Sequence, residues 1–77
     1  MEELIIAIAQ GLVEDPSAVK VTAEEPKADG TIVYHLSVAA DDMGRVIGKQ
    51  GRIAKAIRTV VRASAIHNNV RATVEID

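Results

Sequence analysis

The residues best placed to do chemistry in this chain are Gly48-Lys49-Gln50-Gly51 and the bases around them. Glycine at both ends of a four-residue stretch lets the backbone turn tightly and lets a ligand approach with no Cβ in the way. Gly51 stands at the expected start of a helix, where free N–H groups and the helix dipole favour an anion. Lys49 and Arg52 bring positive charge to the same spot. The chemistry expected here is the holding of phosphate, with no bond made or broken.

Charge distribution points the same way. The net charge is −2, yet residues 1–42 hold nine of the eleven acids, with only Lys20 and Lys27 as bases. Residues 43–71 hold seven bases (Arg45, Lys49, Arg52, Lys55, Arg58, Arg62 and Arg71) and no acid. A polyanion responds to local potential rather than to net charge.

Other chemistries find little support. Gly44 to Gln50 approaches a P-loop, but the spacing is one residue short and Gln50 stands where a hydroxyl should hold magnesium. There are two histidines, His35 on the polar side of an expected strand and His67 at a helix end, and both read as surface residues. Asp41 and Asp42 read as helix caps rather than as a catalytic pair. The chain has no cysteine, so disulfides and thiolate metal sites are excluded. No nucleophile–base pair or metal cluster can be assembled, and neither an enzyme nor a cofactor is expected. Tyr34 is the one aromatic residue, which argues against folds that stack bases on aromatic platforms.

The elements that must position the loop follow from periodicity. Seventy-seven residues make one domain, 1–77, with a modest core. Leu4, Ile5, Ile8, Ala9 and Leu12 carry the spacing of a helix face over 2–13, and Pro16 marks the exit. Val19, Val21 and Ala23 alternate with polar residues as a short strand. Ala28-Asp29-Gly30 supplies a turn, and a second strand runs over 31–39 with Ile32, Tyr34, Leu36 and Val38 on one side. Asp41 or Asp42 should cap a short helix over 43–47. After the glycine loop a longer helix spans 52–67, with Ile53, Ile57, Val60, Val61 and Ser64 as the face packed on the sheet and Arg52, Lys55, Arg58 and Arg62 on another. Asn68-Asn69 ends it, and a last strand covers 71–76. The expected fold is α+β, in the order α-β-β-α-α-β, with a three-stranded sheet covered on one face by helices. The acidic start and short apolar stretch fit neither a signal peptide nor a membrane span, so a cytoplasmic protein is expected.

With loop and setting together, Val46-Ile47-Gly48-Lys49-Gln50-Gly51 resembles the signature of KH domains, whose GXXG loop clamps about four backbone nucleotides. The element order is similar to the type II, prokaryotic form of that fold. More narrowly, the run from Met43 to Val61 resembles the small bacterial single-KH proteins of the KhpA family. The resemblance implies a protein that grips single-stranded RNA and acts as a post-transcriptional regulator or RNA chaperone. The alternative is an adaptor that uses the fold to pair with a larger KH protein. It implies backbone contacts from Gly48, Lys49, Gln50 and Gly51, and a groove lined by Arg45, Val46, Ile47, Arg52 and Lys55. It also implies a homodimer, or a heterodimer with a Jag-type KH protein (KhpB). One departure stands out: Ala54 occupies a position where the KH pattern has isoleucine, which affects the expected groove floor. For association, Ile66 on the basic side of the long helix, with Ala63 beside it, is the contact expected across a two-fold axis.

Overall fold

The computed structural model describes residues 1–77. Helix α1 spans Glu2–Leu12, with Glu2 and Glu3 in its first turn, where negative charge suits the helix dipole. After a single 3₁₀ turn at Pro16–Ala18, strands β1 (Lys20–Ala23) and β2 (Thr31–Ser37) pair antiparallel, from Lys20↔Ser37 to Ala23↔Tyr34. The connection between them turns at Gly30, whose φ is +89°, and Thr31 N–H donates to Asp29 Oδ1 at 2.9 Å. Helix α2 (Met43–Ile47), the glycine loop and helix α3 (Arg52–His67) lead to β3 (Arg71–Ile76). Strand β3 lies parallel to β2, in register from Thr31↔Arg71 to Leu36↔Ile76. A parallel neighbour needs a long crossover, and α2, the loop and α3 are that crossover. The α+β order and the three-stranded sheet are as expected, with strand order β1-β2-β3.

Helix α3 ends as its asparagines predict. Asn69 adopts φ +57°, and its N–H donates to Ile66 O at 3.1 Å while Val70 N–H donates to Ala65 O at 2.9 Å. This pair of bonds is a Schellman motif. It reverses the chain directly into β3.

The core gathers Ile5 and Ala9 of α1, Tyr34 and Leu36 of β2, Ile57 and Val61 of α3, and Val74 of β3. Two details differ from the expected pattern. On α3 the buried residues are Ala54, Ile57, Val61 and Ala65, whereas Val60 is 47% exposed. The buried stripe is rotated toward small residues because alanines let the helix settle close to the sheet, and the larger side chains of Ile53 and Val60 are displaced to its flank. On β2, Val33 is buried although it lies on the face opposite the core. It sits mid-strand in the central strand, opposite Thr73, so neighbouring side chains cover it without a second layer. No helix is long and apolar enough to cross a membrane.

Asp42 is not the helix cap that its position suggests. Its carboxylate accepts the backbone N–H groups of Glu14 (3.2 Å) and Asp15 (3.1 Å), and Nε of Arg45 (3.1 Å). It is almost fully covered. The Glu14 amide, aided by the Asp15 amide and the Arg45 guanidinium, holds its pKa below the usual carboxylate value against the opposing effect of desolvation. The bond partners lie 28 and 27 residues away, so this carboxylate ties the exit of α1 to the start of α2, a tertiary role that local sequence cannot signal.

His35 does lie on the open face of the sheet, bonded through Nε2 to Glu24 and through Nδ1 to Asp77 at 3.0 Å. These two carboxylates, Glu24 first, raise its pKa above the ordinary histidine value. Glu75 is its register partner in β3 and adds negative charge nearby. A group whose folded pKa is raised stabilises the fold fully below its unfolded pKa, about 6.5, and loses that contribution as pH climbs through the folded value. The Tm of wild type should therefore exceed that of His35→Gln between about pH 5 and 6.5. Thermal melts should show the gap closing as the solution becomes alkaline; a pH-independent gap would assign the histidine a packing role only.

Candidate nucleic-acid interface

The glycine loop is built from an unusual backbone. Gly48 has φ 74°, ψ 174°, Gln50 has φ 58°, ψ 26°, and Gly51 has φ 74°, ψ 14°. Three of four residues thus sit at positive φ, where L side chains are costly. The two glycines differ in surroundings. A Cβ on Gly48 would lie 2.8 Å from Ile53 Cβ and 2.9 Å from Ile53 N, whereas a Cβ on Gly51 meets nothing within 4 Å. Gly48 is therefore required by the protein's own packing, and Gly51 leaves open space above the start of α3. No side chain caps that start and no acid occupies its first turn. Lys49 and Gln50 are exposed at the tip.

The bases around the loop are not equivalent. Lys49, Lys55 and Arg62 are exposed and make no ion pair; Arg52 makes only a long contact to Gln50 Oε1 at 3.4 Å. Arg45, in contrast, bridges Asp42 Oδ1 (3.1 Å) and Glu14 Oε1 (2.8 Å), so much of its charge is answered within the chain. Arg58 donates through Nε to Val74 O at 3.1 Å. Strand β3 is the sheet edge next to α3, and this bond fixes the basic side of the helix along that edge. The result is a positive strip that begins at the loop and follows α3 beside β3.

The remaining residues read from the sequence fall into two groups. Ile47 is 37% exposed beside the loop, while Val46 is fully buried and offers a ligand no surface. Ala54 is also buried, so the absent isoleucine is absent from the core side of α3. Ile53, packed at the margin of the core, is the apolar residue at the foot of the loop. The loop, Arg52 and Lys55 are brought together as expected, and Ile66 and Ala63 lie exposed toward the other end of α3.

One feature of the surface escaped the periodicity reading. A cleft of about 330 Å³ between α1 and α3 is lined only by apolar side chains, among them Leu4, Ile8, Leu12, Ile53, Ala56 and Val60. The signal was present in α1, whose apolar residues span an arc wider than one packed stripe. Leu4, Ile8 and Leu12 form a second row beside the buried Ile5 and Ala9.

Residues 2–76 match the family model described as KhpA/KhpB, KH domain. An RNA-binding protein KhpA from Listeria monocytogenes is 54% identical over 76 residues, covering 99% of this chain and 97% of that protein. One from Clostridium acetobutylicum is 51% identical, covering 99% of each, and one from Chlamydia pneumoniae is 45% identical, covering 99% and 95%. Among solved structures, Era in complex with MgGDPNP and nucleotides 1506–1542 of 16S ribosomal RNA matches with a TM-score of 0.69 at 21% identity. That match covers 97% of this chain and 28% of Era, and it bears on the fold alone.

Proposed function

The chain belongs to the KhpA/KhpB family of KH domains, and from that premise we propose that it is a binding module for single-stranded RNA. Gly48, Lys49, Gln50 and Gly51 hold the sugar-phosphate backbone, with Arg52 and Lys55 supplying charge beside them. Ile47, exposed beside the loop, offers the bases an aliphatic surface. Arg45 contributes less, because Asp42 and Glu14 already hold it. The observation that carries this reading is an open, positive-φ loop set at the head of a strip of unpaired bases. The names of the relatives support RNA as the ligand. A module of this size reads about four nucleotides, so its regulatory or chaperone role in the cytoplasm depends on partners that add contacts.

The test is the salt dependence of binding to a labelled single-stranded RNA. With about three phosphates neutralised, log K against log salt should slope near −2, at about −0.7 per contact. Neutralising Arg52 should cost more than neutralising Arg62, which lies further from the loop. A flat response would remove the electrostatic basis of the proposal.

The apolar cleft favours a second role, pairing with another copy of the chain or with a larger KH protein. A concave surface with no polar side chain is the kind of patch that partner proteins cover. Ala63 extends the same helix face, three residues beyond Val60 and seven beyond Ala56. Ile66 falls outside this face. We expect the wild type to self-associate in a sedimentation series and Val60→Asp to remain monomeric. If Ile66→Asp breaks the assembly and Val60→Asp does not, the contact runs through the helix end instead.

A further inference from the structure

At the far end of α3 lies a hollow of about 220 Å³, between that helix end and the starts of β2 and β3. Its origin is local. In a Schellman motif the residue after the left-handed position usually packs against the third-last helical residue. Here those two residues are Val70 and Ala65, and a methyl group is too short to fill the space. Ile66 and Val70 are left 68% and 46% exposed, forming an apolar floor with Ala65. Arg62 and Arg71 stand on its rim, and Thr31 lines the third side. Arg62 has no ion-pair partner. Arg71 meets only Asp29 at 3.6 Å, with both side chains more than half exposed, a pairing worth little in water.

An apolar floor between two available guanidinium groups suits a particular ligand. A nucleotide matches it: its base is flat and apolar on its faces and stacks beneath guanidinium planes, and its phosphate can be held by an arginine in a fork. A helix of a partner protein would need a longer apolar strip than this short hollow offers. The hollow is also continuous with the loop. Arg52, Lys55, Arg58 and Arg62 follow one another at helical spacing, and Arg58 is held against β3 by its bond to Val74 O. Arg62 is ten residues from Arg52, about 15 Å along the helix axis. No acid interrupts residues 43–71.

We propose that this hollow is an additional nucleotide subsite, in which Ile66 and Val70 support a base of the same RNA strand and Arg62 and Arg71 hold its flanking phosphate. The proposal rests on the reading of the loop as the primary RNA contact, and it extends the footprint along α3 beyond the nucleotides held there. Ile66 is thereby a ligand-facing residue.

The experiment compares fluorescein-labelled oligouridylates, a tetramer and an octamer, against the full chain and two variants, Arg62→Gln/Arg71→Gln and Ile66→Ser. All three positions are exposed, and melts verify that the variants fold. The double variant should bind the tetramer within about twofold of wild type and the octamer about five- to tenfold more weakly. Its octamer salt slope should be shallower by about 1.4, the share of two phosphate contacts. Ile66→Ser should weaken octamer binding about threefold with the slope unchanged, because it removes base contact and no charge. Extra binding registers on the octamer raise affinity for wild type and variants alike, so the ratio between proteins is the readout. Octamer affinities equal in wild type and double variant overturn the subsite while leaving the loop intact. A shift in sedimentation of Ile66→Ser without a change in RNA binding assigns the hollow to a protein contact and overturns it too. Failure of wild type to bind either oligomer removes the loop reading and this proposal together.

Discussion

Replacing Lys49 and Gln50 together with Asp should lower affinity for single-stranded RNA by more than about 100-fold, while Tm stays within about 3 °C of wild type. The binding loss follows from charge. The variant replaces one positive charge by two negative ones at the exposed tip, where phosphate must approach the backbone most closely, and electrostatics dominates nucleic-acid affinity. Preservation of the fold follows from conformation. Gln50 sits at φ 58°, ψ 26°, a left-handed position that aspartate tolerates better than most residues. Lys49 makes no ion pair whose loss would be felt. The one contact disturbed is the long bond from Arg52 to Gln50, which an aspartate at position 50 can replace. Fluorescence anisotropy and thermal melts on the same preparation check both halves. Affinity within threefold of wild type, with an unchanged melt, would mean that RNA is gripped elsewhere.

Much of this could be read from the residues in order. The glycine loop, the bounds of α2, α3 and β3, the asparagine-terminated helix and the alternation of β2 and β3 are all encoded locally, by turn chemistry and by periods of 3.6 and 2. What periodicity could not reach depends on partners distant in the chain. The carboxylate of Asp42 looks like a cap because a cap is a local device, yet its amides belong to Glu14 and Asp15. Arg45 looks like a free base until Glu14 arrives beside it from the end of α1. On α3, hydrophobicity marks Val60 as core and passes over Ala65, while closeness of packing selects the alanine. Val33 illustrates the same limit on the sheet: its face is polar in pattern, and burial comes from its place in the central strand. The basic strip was legible as charge, but its orientation along β3 needed the bond from Arg58 to Val74.

The two glycines of the loop should respond differently to the same substitution. Gly48→Ala places a Cβ 2.8 Å from Ile53 Cβ and 2.9 Å from Ile53 N, on a backbone at φ 74°, ψ 174°. That region is essentially restricted to glycine and costs about 1–3 kcal/mol, and forced overpacking adds a similar amount. A loss of about 3–5 kcal/mol is a large share of the roughly 4–11 kcal/mol expected for a domain of this length. Tm should therefore fall by about 15 °C or more. Gly51→Ala meets no atom within 4 Å and occupies the milder left-handed region, φ 74°, ψ 14°. Its stability cost is about 1–2 kcal/mol, so its Tm should fall by roughly 5–10 °C. RNA affinity of the folded Gly51→Ala protein should nevertheless drop by about tenfold or more, because the new methyl group stands where the strand approaches the start of α3. Melts followed by binding at about 10 °C, where both variants are largely folded, separate the two effects. Equal losses of Tm would contradict the division of roles. A companion variant sharpens the test: trimming Ile53 to Ala removes Cγ1, Cγ2 and Cδ1 but leaves the Cβ and the backbone nitrogen. Gly48→Ala/Ile53→Ala should remain strongly destabilised, since the contacts that exclude a side chain at Gly48 belong to the first turn of α3 itself.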